Sequence, residues 1–249
     1  MLLFRRIFNF EKAKVVQSEQ RLNQRYTPGP SFPLQAVLIL AGREWPAKVL
    51  NISGNGVGLL VDPVAAPADG QVVQLRLSLD RHRLELAARI AHLKPAEKGL
   101  YCGIGLTFTD FNLQKAYLQL LQPITIGQSL MAVPGDRVVQ NEPQFIKQVY
   151  RGEEGSVLTV WLETTPGTPL HSFEFQMHDY FCRAKMKTGA LEAYQLEAAD
   201  SHTAKLANPV FDTTGGLHDE IRQLFRWIVP NLSRSIPDDV RAVLLGFAA

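Results

Sequence analysis

Between residues 34 and 109, six apolar runs of strand length follow one another with only turn residues between them. They are LQAVLILA (34–41), EWPAKVLNI (44–52), GVGLLVD (56–62), QVVQLRLSL (71–79), RLELAARIAHL (83–93) and GLYCGIGLTFT (99–109). The breaks GRE, SGNG, ADG, DRHR and AEKG are rich in residues that turn a chain sharply. Within the fourth run, Gln74, Arg76 and Ser78 alternate with Val73, Leu75, Leu77 and Leu79, the two-residue period of a strand with one buried face. Six short antiparallel strands at this spacing predict a small closed barrel, which also leaves no sheet edge open.

A helix is expected next, over DFNLQKAYLQLLQ, with Asp110 as its N-cap and Leu113, Tyr117, Leu120 and Leu121 as its apolar stripe. Pro123 is expected to end it. Residues 125–142 mix Gly, Pro and polar groups and read as a linker. Strand-like runs return at 143–151, 156–164, 171–179, 180–186 and 190–198. Two helical patterns close the chain. One begins near Thr214 and carries Leu217, Ile221, Leu224, Phe225 and Ile228; the other begins at Pro237 and carries Val240, Val243, Leu244 and Phe247. The organisation expected is therefore an N-terminal segment (1–19), a barrel domain (20–124), the linker, and an α+β domain (143–249).

Charge is unevenly placed. The whole chain is +2, yet residues 1–25 hold six basic residues against two acidic ones. Leu3, Ile7 and Phe10 recur there at helical spacing, so residues 1–10 either pack on the protein itself or touch a membrane surface. The basic stretch is short and has no interleaved stacking aromatics, which argues against nucleic acid. The longest uncharged stretch, 116–135, contains three glutamines and two prolines and cannot span a bilayer. Two cysteines, Cys102 and Cys182, give neither a disulfide framework nor CxxC spacing, and read as buried thiols of a cytoplasmic protein. The three tryptophans, Trp45, Trp161 and Trp227, lie in apolar patterns and read as core.

Two short patterns carry binding chemistry. Arg21 and Arg25 form RxxxR just before the first strand, and Asn51, Ser53 and Gly56 form NxSxxG between the second and third. A guanidinium matches the O6 and N7 acceptors of guanine and also pairs with phosphate. An amide and a hydroxyl can read a base edge, and glycines let a backbone approach closely. Each pattern alone is common on protein surfaces. In this order and on this strand plan, together with the ending GLYCGIGLTFTDF, they resemble the PilZ family over about residues 20–122.

That resemblance implies a bacterial receptor for the second messenger cyclic di-GMP, working in signal transduction without catalysis and without a cofactor. It assigns ligand binding to Arg21, Arg25, Asn51, Ser53 and Gly56. The arginine-bearing segment, followed by Pro28-Gly29-Pro30, is expected to order around the ligand and to pass the change to a protein partner. Asn51 cannot accept from both N1–H and N2–H of guanine as the carboxylate of some relatives can. Gln20 stands where an arginine accompanies a stacked ligand dimer in parts of the family, which points to one ligand per site. The alternative is an adaptor that binds no nucleotide and works through protein contacts of residues 143–249. No metal or nucleophile motif competes: the six histidines form no HxxxH or Cys/His cluster, and His178-Asp179 with Cys182 reads as structural.

Overall fold

The computed structural model describes residues 24–165, 167, 169–177, 180–195 and 216–248. The N-terminal segment 1–19, Arg21 and the pair His178-Asp179 lie outside the described residues. The chain divides into two compact units, Met1–Ile124 and Thr125–Ala249.

The first unit is a closed antiparallel barrel, as the run of short strands predicts. Its strands are β1 (Leu34–Leu40), β2 (Arg43–Ser53), β3 (Gly56–Val61), β4 (Val72–Leu79), β5 (His82–Ala96) and β6 (Gly99–Thr107). Their order around the barrel is β1-β2-β3-β6-β5-β4, and β4 closes the ring by pairing with β1. The period of two is kept: Val73, Leu75, Leu77 and Leu79 point inward and are buried, while Gln74, Arg76 and Ser78 do not. Leu38, Ile52, Leu59, Ile90 and Cys102 also point inward, and among the described residues no charged side chain is buried with them.

Helix α1 (Phe111–Ser129) follows. Asp110 accepts a hydrogen bond from the backbone N–H of Leu113 at 2.8 Å, the cap expected of it. The helix does not stop at Pro123, which sits inside it. An interior proline costs about 3 kcal/mol through its missing N–H and ring clash. Burial of Ile124, Ile126 and Leu130 just beyond offsets that cost, at about 1.5–3 kcal/mol for each fully buried aliphatic side chain.

The second unit is an open six-stranded sheet. Its strands are β7 (Met131–Ala132), β8 (Phe145–Arg151), β9 (Val157–Glu163), β10 (Leu170–Met177), β11 (Tyr180–Lys185) and β12 (Leu191–Gln195), each paired with its sequence neighbour. Helices α2 (Leu217–Ile228) and α3 (Asp238–Ala248) supply the rest of the core. The Phe225 ring stacks on Phe173 at 5.7 Å and meets Phe175 at 6.2 Å, and Phe247 meets Phe173 edge-on at 5.4 Å. Gly127 in α1 has no room for a side chain, since a β-carbon there would lie 2.7 Å from the Asn231 carbonyl oxygen. Residues 125–142 hold the end of α1, β7 and a short 3-10 turn at Gly135–Arg137. Beyond β7, the edge of β8 is closed by one side chain: Gln140 accepts from the Lys147 N–H at 2.8 Å and donates to the Lys147 carbonyl at 2.9 Å.

Of the three tryptophans, only Trp227 is fully buried. Trp161 lies between the inward-facing Val160 and Leu162, so the period of two turns it outward, and Trp45 is only half-buried near the start of β2. No helix among the described residues is long and apolar enough to cross a membrane.

Candidate functional site

The turn Ser53-Gly54-Asn55-Gly56 joins β2 to β3 and is held from several sides. The Ser53 hydroxyl lies 3.0 Å from Asn55 Oδ1 and 3.2 Å from the Gly56 carbonyl oxygen, two acceptors for its single hydrogen. The Asn55 carbonyl accepts from the Leu106 N–H on β6 at 2.9 Å. From below, the fully buried Tyr117 hydroxyl of α1 donates to the Ser53 carbonyl at 2.6 Å. Burial pushes the Tyr117 phenol well above its ordinary range, so it stays protonated and able to donate. The helix stripe read from the sequence as core is thus also the brace of this turn.

None of the turn residues has a positive φ, so its glycines are not there for left-handed backbone. Gly56 is needed for space: a β-carbon would lie 2.7 Å from the Ile104 carbonyl oxygen on β6. Any larger residue would force two backbones apart.

Arg25 is described and exposed. Its neighbour Tyr26 forms an isolated antiparallel bridge with Ile52, with N–H to carbonyl distances of 2.8 Å in both directions. Both Tyr26 and Ile52 are buried. The chain before the barrel is therefore pinned to β2, and Arg25 stands level with Ser53. Asn51 is half-buried on β2 and reaches over Gly58 of β3. Ser53 is buried, with its hydroxyl held in the turn. The structure brings together Arg25, Asn51, Ser53 and Gly56 along one stretch of β2–β3; the remaining predicted site residue, Arg21, is the one outside the described residues.

The PilZ domain family model matches residues 19–124, a span that begins just before RxxxR and ends within α1. These residues are a PilZ domain. Residues 125–249 lie beyond the match. Two solved structures are similar to the chain. One is an uncharacterized Legionella protein, Lpg0364, at 16% identity, covering 40% of this chain and 90% of that one with a TM-score of 0.28. The other is PlzA of Borreliella burgdorferi, solved in complex with c-di-GMP, at 10% identity, covering 67% of this chain and 82% of that one with a TM-score of 0.31. No curated protein matches the chain.

Several residues around the PilZ turn were not found by motif reading. Tyr117, Gly58, Tyr101, Gly103 and His92 all lie at or beside it. The one available signal was the GxG spacing in both GVGLLV and GIGLTF, which empties alternate positions of two strands. Among the described residues, no group of three His, Cys, Asp or Glu side chains could hold a metal ion.

The second unit offers a different surface. An open groove of about 450 Å³ is lined in part by Phe145, Trp161, His171, Glu174, Arg183 and Lys185 on the sheet. Phe145 and His171 stack at 4.1 Å, and the Lys147 ammonium stands 5.8 Å over the Trp161 ring.

Proposed function

We propose that this protein is a cyclic di-GMP receptor whose PilZ domain binds the ligand through Arg21, Arg25, Asn51, Ser53 and Gly56, without catalysis. One observation carries the reading: the Tyr26–Ile52 bridge pins the arginine-bearing chain beside the NxSxxG turn. A guanidinium and an amide on one strand-end can then share a single guanine nucleotide, the arginine taking the Hoogsteen edge or a phosphate and the amide another edge. Ser53 acts mainly by holding the turn that presents Asn51. Ligand contacts to Arg21 and Arg25 stabilise one arrangement of the chain start over others. A protein partner in the cytoplasm reads that population shift. Residues 1–10 supply any contact with a membrane surface.

Calorimetry on the full chain tests this. The parent is expected to bind cyclic di-GMP, and Arg25→Ala to bind roughly ten- to a hundredfold more weakly, the effect of losing one bidentate contact. Absence of heat at high micromolar ligand with folded protein would overturn the receptor reading. The groove of the second unit favours one further reading, an adaptor that works through protein contacts of residues 143–249. That reading gains if the parent binds no nucleotide.

A further inference from the structure

Two registers of the barrel's outer wall have no side chains at all on β3 and β6. Gly56 opposes Gly105, and Gly58 opposes Gly103. These glycines face away from the interior, where Val57, Leu59, Cys102 and Ile104 point, so they contribute nothing to the core. Glycine within a strand weakens it and marks a place where something else comes close to the backbone.

What comes close is a set of neighbouring side chains. A β-carbon on Gly58 would lie 2.6 Å from Asn51 Nδ2, 2.8 Å from Asn51 Oδ1 and 2.8 Å from the Tyr101 hydroxyl. A β-carbon on Gly103 would fall within the His92 imidazole. Asn51 from β2 and His92 from β5 thus lie down over adjacent, directly paired glycines. Each follows a register shift in its strand, between Val49 and Asn51 and between Ile90 and His92. Such shifts re-aim a side chain. Tyr101 closes the gap: its ring centre is 5.4 Å from that of His92 at an interplanar angle of 30°, and its hydroxyl shares the space over Gly58 with the Asn51 amide. Both rings are half-buried, leaving part of their surface to solvent.

We infer that Tyr101 and His92 form an aromatic wall of the ligand site, against which the face of a guanine rests while Asn51 meets its edge. This rests on the receptor reading and extends it to residues outside both motifs. A purine presents a flat apolar face and a polar rim. The cluster offers flat rings and one amide at matching positions, and stacking of a base on an aromatic side chain tolerates the tilted geometry seen here.

The test is cyclic di-GMP titration of the full chain as parent, Arg25→Ala, Tyr101→Phe, Tyr101→Leu, His92→Phe, His92→Leu and Gly103→Ala, each checked by thermal unfolding. Tyr101→Leu and His92→Leu are expected to weaken binding about tenfold, as loss of a stacking ring does. Their melting temperatures should stay near the parent's, and the phenylalanine variants should bind within about twofold of it. Gly103→Ala, which displaces only the imidazole, should weaken binding as well, and it carries the test if a leucine variant fails to fold. Parent-like affinity in both leucine variants alongside a weak Arg25→Ala protein overturns the wall and leaves the receptor reading standing. Equal losses in Tyr101→Phe and Tyr101→Leu would overturn it too, because the hydroxyl and not the ring would then matter. A parent that binds no cyclic di-GMP removes both.

Discussion

The PilZ barrel buries Leu38, Leu75 and Leu77 against its own curved wall, whereas the second sheet buries Phe173 and Phe175 beneath Phe225, a residue from the chain's closing helices. Closure makes the first sheet self-sufficient. Every strand finds two partners, and alternate positions along the strands point into the interior. Its outer wall is then free to dispense with side chains, as at Gly58 and Gly103. The open sheet has two edges and needs a second layer. Its outer face keeps its side chains, Trp161 and Lys147 among them, and where the short edge strand β7 no longer covers β8, Gln140 pairs with the Lys147 backbone instead. On the barrel, side chains of neighbouring strands lie over the glycines of β3 and β6, whereas the open sheet's outer face carries aromatic and charged side chains of its own.

The largest expected effect breaks the comparison at its weakest assumption, that the second core depends on helix contacts. Phe225→Ala should destabilise by about 3–5 kcal/mol, as aromatic truncation in a packed core does. Urea unfolding followed by tryptophan fluorescence, with Trp227 in the same helix, should detect an early transition, while cyclic di-GMP affinity stays within about twofold of the parent's. Equal loss of ligand binding would mean that the barrel is not self-sufficient.

Next in size is Tyr117→Phe. Removing the hydroxyl takes a buried donor from the Ser53 carbonyl, at a cost of about 1–3 kcal/mol. The loosened turn should also lower ligand affinity, which a variant elsewhere in the helix stripe would not do. Unchanged stability and unchanged affinity together would show that the hydroxyl is no brace.

Gln140→Ala is smaller, about 1 kcal/mol for an exposed pair of hydrogen bonds. Faster amide exchange at Lys147 is the direct readout, and a rise in self-association would sharpen the view of β8 as a guarded edge.

The smallest effect is a slope. Burial raises the Cys102 thiol to about 11 and pushes Cys182, Tyr117 and Tyr194 upward as well. The unfolded chain releases these protons from about pH 9 upward while the folded chain keeps them. The folded state then binds more protons, so stability falls as pH rises above 9 and is flat with respect to these groups below it. Cys102→Ala should make the fall between pH 9 and 11 shallower in denaturant titrations; an unaltered slope would remove Cys102 from the account.

Legibility in the sequence followed the range of the interaction. The strands of the barrel and the apolar stripe of α1 follow from the order of residues along each element, and both appear where the pattern places them. Pro123 broke the rule for helix ends because burial of residues after it outweighed a local cost. Trp161 left the core because alternation along β9 overruled its size. Arg25, Asn51, Ser53 and Gly56 stand out in the sequence by spacing alone, and the Tyr26–Ile52 bridge is what sets Arg25 level with Ser53. Tyr117 was found only as core, since no local pattern says that a helix hydroxyl will meet a turn 64 residues earlier.

Alternation and turn chemistry, which act between residues a few places apart, were sufficient to specify six strands and a closed sheet, and spacing picked out RxxxR and NxSxxG. Which side chains meet over Gly58 and Gly103 was decided by register across β2, β3, β6 and β5, including two single-residue shifts. Register is settled by the packing of the whole barrel, because a slip of one residue would carry every inward leucine to the surface. That is why the residues of the motif could be named from their order, and the rings beside it only from the fold.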